Sequence, residues 1–155
     1  MKYARLTKEQ FEELQPEFTN FLATQSITEE EWEKIKQEKP DVAEDELDLF
    51  SDLIWEGVLN KVEFLEHFSK QQLFLFHITE FEMNLIGIKI QNEAINILTK
   101  EGYRWLRDNL MDEAVTVYTS QKPITEDRNK DIFALIQQGA NITKGELYAY
   151  FQQMV

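Results

Sequence analysis

The sequence predicts an α+β fold, and three observations lead to this class. The first half of the chain carries capping-box pairs and apolar residues that recur every three or four positions, as in helices. From about Ser69 the pattern changes to short aliphatic and aromatic runs, which are typical of strands. Two further helical segments close the chain. We therefore expect three N-terminal helices packed on a small antiparallel sheet of three to four strands, with further helices at the C-terminus.

The first two helices are indicated by capping boxes. Thr7 with Gln10 begins one, and Thr28 with Glu31 begins the other. Pro16 interrupts the first helical pattern and marks either a kink or a later start.

The third helix is predicted to be the longest, because apolar residues continue at helical spacing from Asp41 to Phe68. At about 100° per residue, the same stretch places seven carboxylates on another face. We call this face the acidic ridge: Asp41, Asp45, Asp48, Asp52, Glu56, Glu63 and Glu66. Like charges four residues apart weaken a helix by about 0.2–0.5 kcal/mol per pair, so the ridge is not favoured locally.

Strand-like runs at 73–78 and 83–91 have a short connection and predict an antiparallel hairpin. The alternation is out of phase before Ile86, which indicates a bulge or a strand covered on both faces. Residues 95–97 and 114–120 are expected to add strands. Helices are expected at 99–110, 127–138 and 143–154, with Gly139 ending the second and a capping box of Thr143 and Glu146 beginning the third.

Composition limits the class of protein. A length of 155 residues predicts one domain, 1–155, and 43 % apolar residues can form a core despite a net charge of −13. Cysteine is absent, which excludes disulfides, thiolate metal sites and a cysteine nucleophile. The N-terminus does not resemble a signal peptide and no apolar stretch is long enough for a membrane span, so we expect a cytoplasmic protein.

The negative charge is concentrated in the first half. Residues 1–69 hold 18 acidic and 7 basic side chains, and residues 70–155 hold 11 and 9. Such a field disfavours direct binding to nucleic acid or to an anionic membrane, and it favours a basic protein partner. Solubility alone is the simpler interpretation of the same charge. The oligomeric state is left open.

No catalytic constellation, metal site or cofactor site is predicted. The two histidines and the scattered serines and glycines match no known arrangement, although Glu63 and His67 would be within reach on one helix. Asp45, Asp48 and Asp52, with the acidic run at 29–33 upstream, have a faint similarity to the acidic helices of all-α nucleotide pyrophosphatases. That family needs a four-helix metal cage, whereas this chain continues into strands. A divalent-metal-dependent phosphohydrolase using helix carboxylates is the alternative hypothesis.

Aromatic and aliphatic residues beside the ridge complete the candidate surface. Trp55 and Leu59 lie at one margin of the ridge and Leu49 at the other, and Trp105 points away from the apolar side of its helix. The candidate partner-binding residues are Asp45, Asp48, Asp52, Glu56, Glu63, Trp55, Leu59 and Trp105. Two alternatives remain open: the tryptophans are covered by other elements, or Arg104, Arg107 or other cations of the chain cover the ridge.

Three segments, 1–11, 46–53 and 139–147, together resemble an uncharacterised family of small acidic proteins from Bacteroidota. This resemblance covers the whole chain and implies a bacterial cytoplasmic setting, with no assigned activity. The sequence therefore predicts a non-enzymatic interaction protein, an adaptor or inhibitor, that presents an acidic helix face to a basic partner. This hypothesis requires the acidic ridge to remain open to solvent.

Overall fold

Seven helices and five strands follow one another along the chain, which the computed structural model describes from residue 1 to residue 155. The backbone divides into two units, residues 1–60 and residues 61–155. The first unit is helical and the second is built on an antiparallel sheet. The predicted α+β class is confirmed, with more helices and more strands than expected. None of the helices has both the length and the apolar character required to cross a bilayer.

The helical unit contains four helices: α1 (Lys8–Glu13), α2 (Gln15–Thr24), α3 (Glu29–Glu38) and α4 (Pro40–Asn60). Both predicted capping boxes form, at Thr7 with Gln10 and at Thr28 with Glu31. Pro16 lies in the first turn of α2, where a missing N–H costs nothing, so the predicted first helix is two helices. A buried cluster joins these helices: Leu6, Phe18, Leu22, Trp32, Ala43 and Phe50.

The predicted helix from Asp41 to Phe68 is too long. Helix α4 ends at Asn60, and Phe64–Phe68 forms a strand, β1. The helical spacing of Val62, Leu65 and Phe68 is therefore coincidental, because strand pairing on both sides of β1 decides its conformation.

Five strands form one antiparallel sheet in the order β4-β3-β2-β1-β5. Besides β1, they are β2 (Gln72–Ile78), β3 (Glu82–Ile90), β4 (Val115–Pro123) and β5 (Asn141–Thr143). The predicted hairpin of β2 and β3 is present, with an unbroken register from Gln72 opposite Lys89 to Ile78 opposite Met83. There is no bulge, and Met83 is buried like Ile86 and Ile88, so both faces of β3 are covered. Residues 95 and 96 lie between turns at 93–94 and 97–98, so the strand expected at 95–97 is absent.

Three helices accompany the sheet: α5 (Lys100–Asp108), α6 (Arg128–Gln137) and α7 (Glu146–Gln152). Leu106 of α5 and Tyr148 and Phe151 of α7 belong to the same buried cluster as the residues of one sheet face: Leu73, Leu75, Ile86, Ile88 and Ile90. The predicted start of the last helix at Thr143 is wrong. Thr143 ends β5, and α7 begins after Gly145, whose positive φ of 83° suits a residue without a side chain.

Candidate functional site

The outer surface of α4 is the candidate site, and the segment preceding α1 lies along it. We call residues 2–6 the N-terminal strap. One carboxylate holds the start of this strap: the backbone N–H of Lys2 donates to Asp52 Oδ2 at 2.7 Å, and the N–H of Tyr3 donates to Asp52 Oδ1 at 2.8 Å. Both oxygens of Asp52 therefore have a partner within the chain.

The next acidic residue along α4 is also engaged. The Tyr3 hydroxyl donates to Glu56 Oε2 at 2.5 Å, and Lys2 Nζ lies 3.5 Å from the same oxygen. Burial of the Tyr3 ring, followed by this hydrogen bond, raises the pKa of the Tyr3 hydroxyl to about 12. The carboxylate of Glu56 thus accepts a hydrogen bond from a neutral hydroxyl and lies beside the ammonium group of Lys2.

Arg5 binds the acids nearer the start of α4. Its Nε donates to Asp48 Oδ1 at 2.8 Å, and its Nη2 donates to Glu44 Oε2 at 2.7 Å. Hydrogen bonding to Glu44, and to a smaller extent to Asp48, raises the pKa of the Arg5 guanidinium above its already high value. A single guanidinium therefore binds two acids and offsets one of their two negative charges.

Burial anchors the far end of the strap. The Leu6 side chain belongs to the core of the helical unit, and its backbone N–H donates to Ser51 Oγ at 3.1 Å. Ser51 is fully buried and in turn donates to the carbonyl of Leu47 at 2.7 Å. The strap is thus an integral part of the fold, with Lys2 and Arg5 on the acids and with Tyr3 and Leu6 buried.

The acidic ridge is therefore not bare. Asp48, Asp52 and Glu56 are bound by the chain itself, so the expectation that they remain uncovered is wrong. Lys2 and Arg5 provide the cations, in place of the Arg104 and Arg107 considered from sequence.

Two further ridge members do not lie on the helix. Glu63 precedes β1 and Glu66 is inside it. Burial raises the pKa of the Glu66 carboxyl. Glu63 is exposed, and its carbonyl accepts a hydrogen bond from the Ile78 N–H. Only the first part of the ridge, Asp41 and Asp45, remains exposed on α4.

The apolar members of the predicted surface are less accessible than expected. Leu59 is 0 % exposed, so its placement at a surface margin is wrong. Trp55 is half-buried and packs on the core of the helical unit. Trp105 is also half-buried and packs on the buried cluster of the sheet unit, so it is not free on the side of α5 that the helical wheel left open.

A different set of apolar side chains reaches solvent on α4. Val42, Leu49 and Leu53 are 41 %, 57 % and 58 % exposed. At 100° per residue they lie within about 40° of one another, and we call them the outer stripe. Asp45 and Glu56 flank this stripe on one side and Glu46, which accepts a hydrogen bond from Gln25 Nε2, on the other. From the sequence only Leu49 was assigned to this surface. The four-residue spacing of Leu49 and Leu53, both outside the predicted apolar face of α4, could have indicated the second leucine as well.

The whole chain, residues 1–155, matches the model of a family of unknown function, DUF6495. The chain belongs to this family. The resemblance expected from the sequence is thereby confirmed as far as an uncharacterised family is concerned. No curated protein and no solved structure matches the chain. Membership of DUF6495 assigns no activity, so any function proposed for this member rests on its own surfaces.

Potential metal-ligating side chains are not clustered in this DUF6495 member. No group of three or more His, Asp or Glu side chains is arranged so that it could hold a metal ion. The predicted helical pair of Glu63 and His67 does not exist, because neither residue is helical. His77 stacks on Phe64 with ring centroids 4.6 Å apart and lies 5.4 Å from the Tyr148 ring, which indicates a packing role.

Proposed function

We propose that this protein is a non-enzymatic interaction protein that binds a basic amphipathic segment of a protein partner through the outer stripe of α4. The strap covers Asp48, Asp52 and Glu56, so the proposal no longer depends on an open acidic ridge. The observation that carries this proposal is the pair Leu49 and Leu53, each more than half exposed one helical turn apart on an acidic unit. The setting would be the bacterial cytoplasm, as the family resemblance implied.

Burial of the outer stripe would supply affinity. Fully burying a leucine side chain contributes about 1.5–3 kcal/mol, and neighbouring leucines on one helix face are typical anchors for an amphipathic partner. Val42 extends the apolar surface toward the start of α4. Contiguous exposed apolar side chains bordered by charges are characteristic of interaction sites.

The charge around the stripe would select the partner. Residues 1–60 hold 16 acidic and 6 basic side chains, so this unit carries −10 of the total charge of −13. Asp45 is exposed beside the stripe and Asp41 is exposed at the start of the same helix, and no cation of the chain binds either. A basic partner would be steered to this unit and would associate faster at low salt.

The N-terminal strap supports the proposed chemistry. Its cations, Lys2 and Arg5, bind carboxylates of α4, while the side chains of Tyr3 and Leu6 are buried. The flank of α4 therefore already accommodates a segment that combines basic and apolar residues. A partner would extend this arrangement onto the stripe and the acids that the strap leaves open.

The phosphohydrolase alternative has no comparable support. Such an enzyme needs carboxylates free to bind Mg²⁺. Asp48 and Asp52 are instead engaged by Arg5 and by the backbone of the strap.

Two arms test the proposal. In the first, the full chain is titrated with a synthetic helical peptide of leucine and lysine, and with a control peptide in which glutamate replaces lysine. We expect binding of the basic peptide alone, weakened by added salt. In the second arm, cross-linking in cell extract should give a stoichiometric partner attached within α4.

Variants locate the surface. The double substitution Leu49→Ser and Leu53→Ser should abolish binding in both arms without loss of folding, since both side chains are exposed. The control, Phe81→Ser with Met111→Ser, removes two apolar side chains of the sheet unit that are even more exposed, and it should leave binding intact. Binding that persists without Leu49 and Leu53, or an affinity that does not change with salt concentration, would contradict the proposal.

A further inference from the structure

Strand β4 forms an open edge of the sheet. It pairs with β3 on one side, from Ile90 opposite Val115 to Glu82 opposite Pro123, and no strand lies on its other side. Its residues from Tyr118 to Pro123 are all exposed, as is Thr116. The opposite edge, β5, has three residues, whereas β4 has nine. The long edge is therefore the one available for pairing with another chain.

The hydrogen bonds at the two ends of the ladder show which backbone groups point outward. Gln91 N–H donates to the Ala114 carbonyl at 2.7 Å, and Ile124 N–H donates to the Phe81 carbonyl at 3.0 Å. Bonded pairs alternate along an antiparallel ladder, so the even-numbered residues of β4 bond to β3. The N–H and C=O groups of Val117, Thr119 and Gln121 consequently point away from β3, toward the open side of the edge strand.

This edge lacks the features by which proteins usually prevent edge pairing. Natural edges are protected by charges, prolines, bulges or short length. The stretch 114–121 holds no charged residue, although the chain as a whole carries −13. Its register with β3 is regular, and five consecutive residues, 115–119, are β-branched or aromatic. Lys122 and Pro123 interrupt this character only at the end of the strand.

The lack of charge along this edge favours a second copy of the same chain as its partner. Two copies of a strongly acidic chain repel each other over most of their surfaces. The uncharged stretch 114–121 is where they can approach with the smallest electrostatic cost. A basic partner would gain no electrostatic attraction from such an edge, whereas a second copy presents the same uncharged stretch.

We propose that β4 pairs antiparallel with β4 of a second copy of this chain, across a two-fold axis at Tyr118. The two sheets then form one continuous antiparallel sheet of ten strands. In this register the outward groups of Val117 face those of Thr119 in the second copy, and Gln121 N–H reaches the Val115 carbonyl. About six backbone hydrogen bonds form between the copies.

The position of Tyr118 fits this axis. Its ring lies across Gly87, where a Cβ would come within 2.2 Å of the Tyr118 Cζ, and the side chain is 39 % exposed. Residues at a non-hydrogen-bonded position approach to about 4.5 Å between Cα atoms, so the two Tyr118 rings would meet. Cross-strand aromatic pairs of this kind are favourable.

Because the chain has no cysteine, single-cysteine variants give a clean test of the register. Thr116 and Ser120 are exposed on the same face of β4, and in the proposed dimer Thr116 lies opposite Ser120 of the second copy. A mixture of Thr116→Cys and Ser120→Cys chains should form a mixed disulfide on oxidation. Either variant alone should form little disulfide, because the two identical cysteines of such a dimer would lie four residues apart along the paired strands.

Sedimentation of the cysteine-free chain provides the second readout. We expect a concentration-dependent dimer that salt strengthens by screening the repulsion between copies. Thr119→Pro removes an outward N–H without removing a bond to β3 and should give a monomer. Thr119→Ala is the matched control and should remain dimeric, and thermal unfolding of both variants would verify that they fold.

Three outcomes would overturn the proposal: a monomer at all concentrations, no mixed disulfide, or a dimer that survives Thr119→Pro. A monomer that takes up an added extended peptide along β4 would assign the edge to another protein, which also overturns it. None of these results bears on the α4 surface, so the two proposals fail independently.

Discussion

At the scale of single residues, Asp52 explains why the ridge can exist. An isolated row of carboxylates destabilises its helix, yet both oxygens of Asp52 accept backbone N–H groups that would otherwise need another partner. Hydrogen bonds to a charged group are about twice as strong as neutral ones. The repulsion between the carboxylates of α4 is therefore offset by hydrogen bonds with the strap. Helical periodicity cannot reveal these contacts.

Asp52→Asn should destabilise the protein by about 1–2 kcal/mol, because an amide has one acceptor oxygen and presents an NH₂ group to the second backbone N–H. Urea unfolding at neutral pH measures this change. Asp45→Asn is the matched control, since Asp45 is exposed on the same helix and no cation binds it. It should leave stability unchanged or raise it by up to about 0.5 kcal/mol. Equal losses in the two variants would rule out the strap contacts as the cause.

Because of Tyr3, the stability of the protein should fall as the pH rises through the alkaline range. The pKa of the Tyr3 hydroxyl is about 12 in the folded state, above the ordinary tyrosine value of 10.0. Between these values the unfolded chain releases the proton and the folded chain keeps it, so the stabilisation is complete below about pH 10 and is lost as pH rises toward 12.

The comparison with Tyr3→Phe isolates this effect from the other tyrosines and the lysines. At neutral pH the variant should be less stable by about 1–2 kcal/mol, because Glu56 loses a hydrogen-bond donor. The difference from the wild type should shrink between about pH 10 and about pH 12. Thermal unfolding across this pH range is the measurement, and a constant difference would exclude Tyr3 as the titrating group.

At the scale of elements, the two helical glycines have opposite surroundings. Gly102 lies in the first turn of α5, where a Cβ would come within 1.8 Å of the Asn96 carbonyl oxygen. Gly57 lies in the last part of α4, and a Cβ added there would meet no atom within 4 Å. Helix propensity treats both glycines alike, so contact with the preceding turn decides the difference.

Gly57→Ala should stabilise the protein by about 0.5–1 kcal/mol through the lower entropy of the unfolded chain and the higher helix propensity. Gly102→Ala should instead destabilise by about 1–3 kcal/mol, since backbone must move to admit the methyl group. Chemical denaturation of the two variants under the same conditions gives both values. A stabilised Gly102→Ala would mean that the turn at Asn96 adapts without cost.

At the scale of the whole molecule, charge separates the two proposed surfaces. The helical unit carries −10 and offers apolar side chains among acids, whereas β4 has a single charged residue, Lys122, near its end. Ionic strength should therefore act on them in opposite directions. Salt weakens the attraction of a basic partner to α4 and reduces the repulsion between two copies that meet at β4. One salt series followed by both readouts would distinguish the two associations.

The sequence predicted the parts of the fold that local rules control. The capping boxes at Thr7 and Thr28, the helix after Thr99 and the hairpin of β2 and β3 all appear near their expected positions. Strand β1 was missed because the apolar residues between Val62 and Phe68 also fit a helical period. Strand β5 has three residues and depends on pairing with β1, so no local pattern could indicate it.

The sequence by itself determined the α+β class, the acidic helical half and the presence of carboxylates along α4, since composition and periodicity are properties of neighbouring residues. Only the tertiary structure decided which of those carboxylates are open. Lys2 and Arg5 reach Glu56 and Asp48 across more than forty positions of sequence, and no periodicity encodes such a contact. The burial of Leu59 and the exposure of Leu53 likewise depend on tertiary packing, which helical periodicity does not encode.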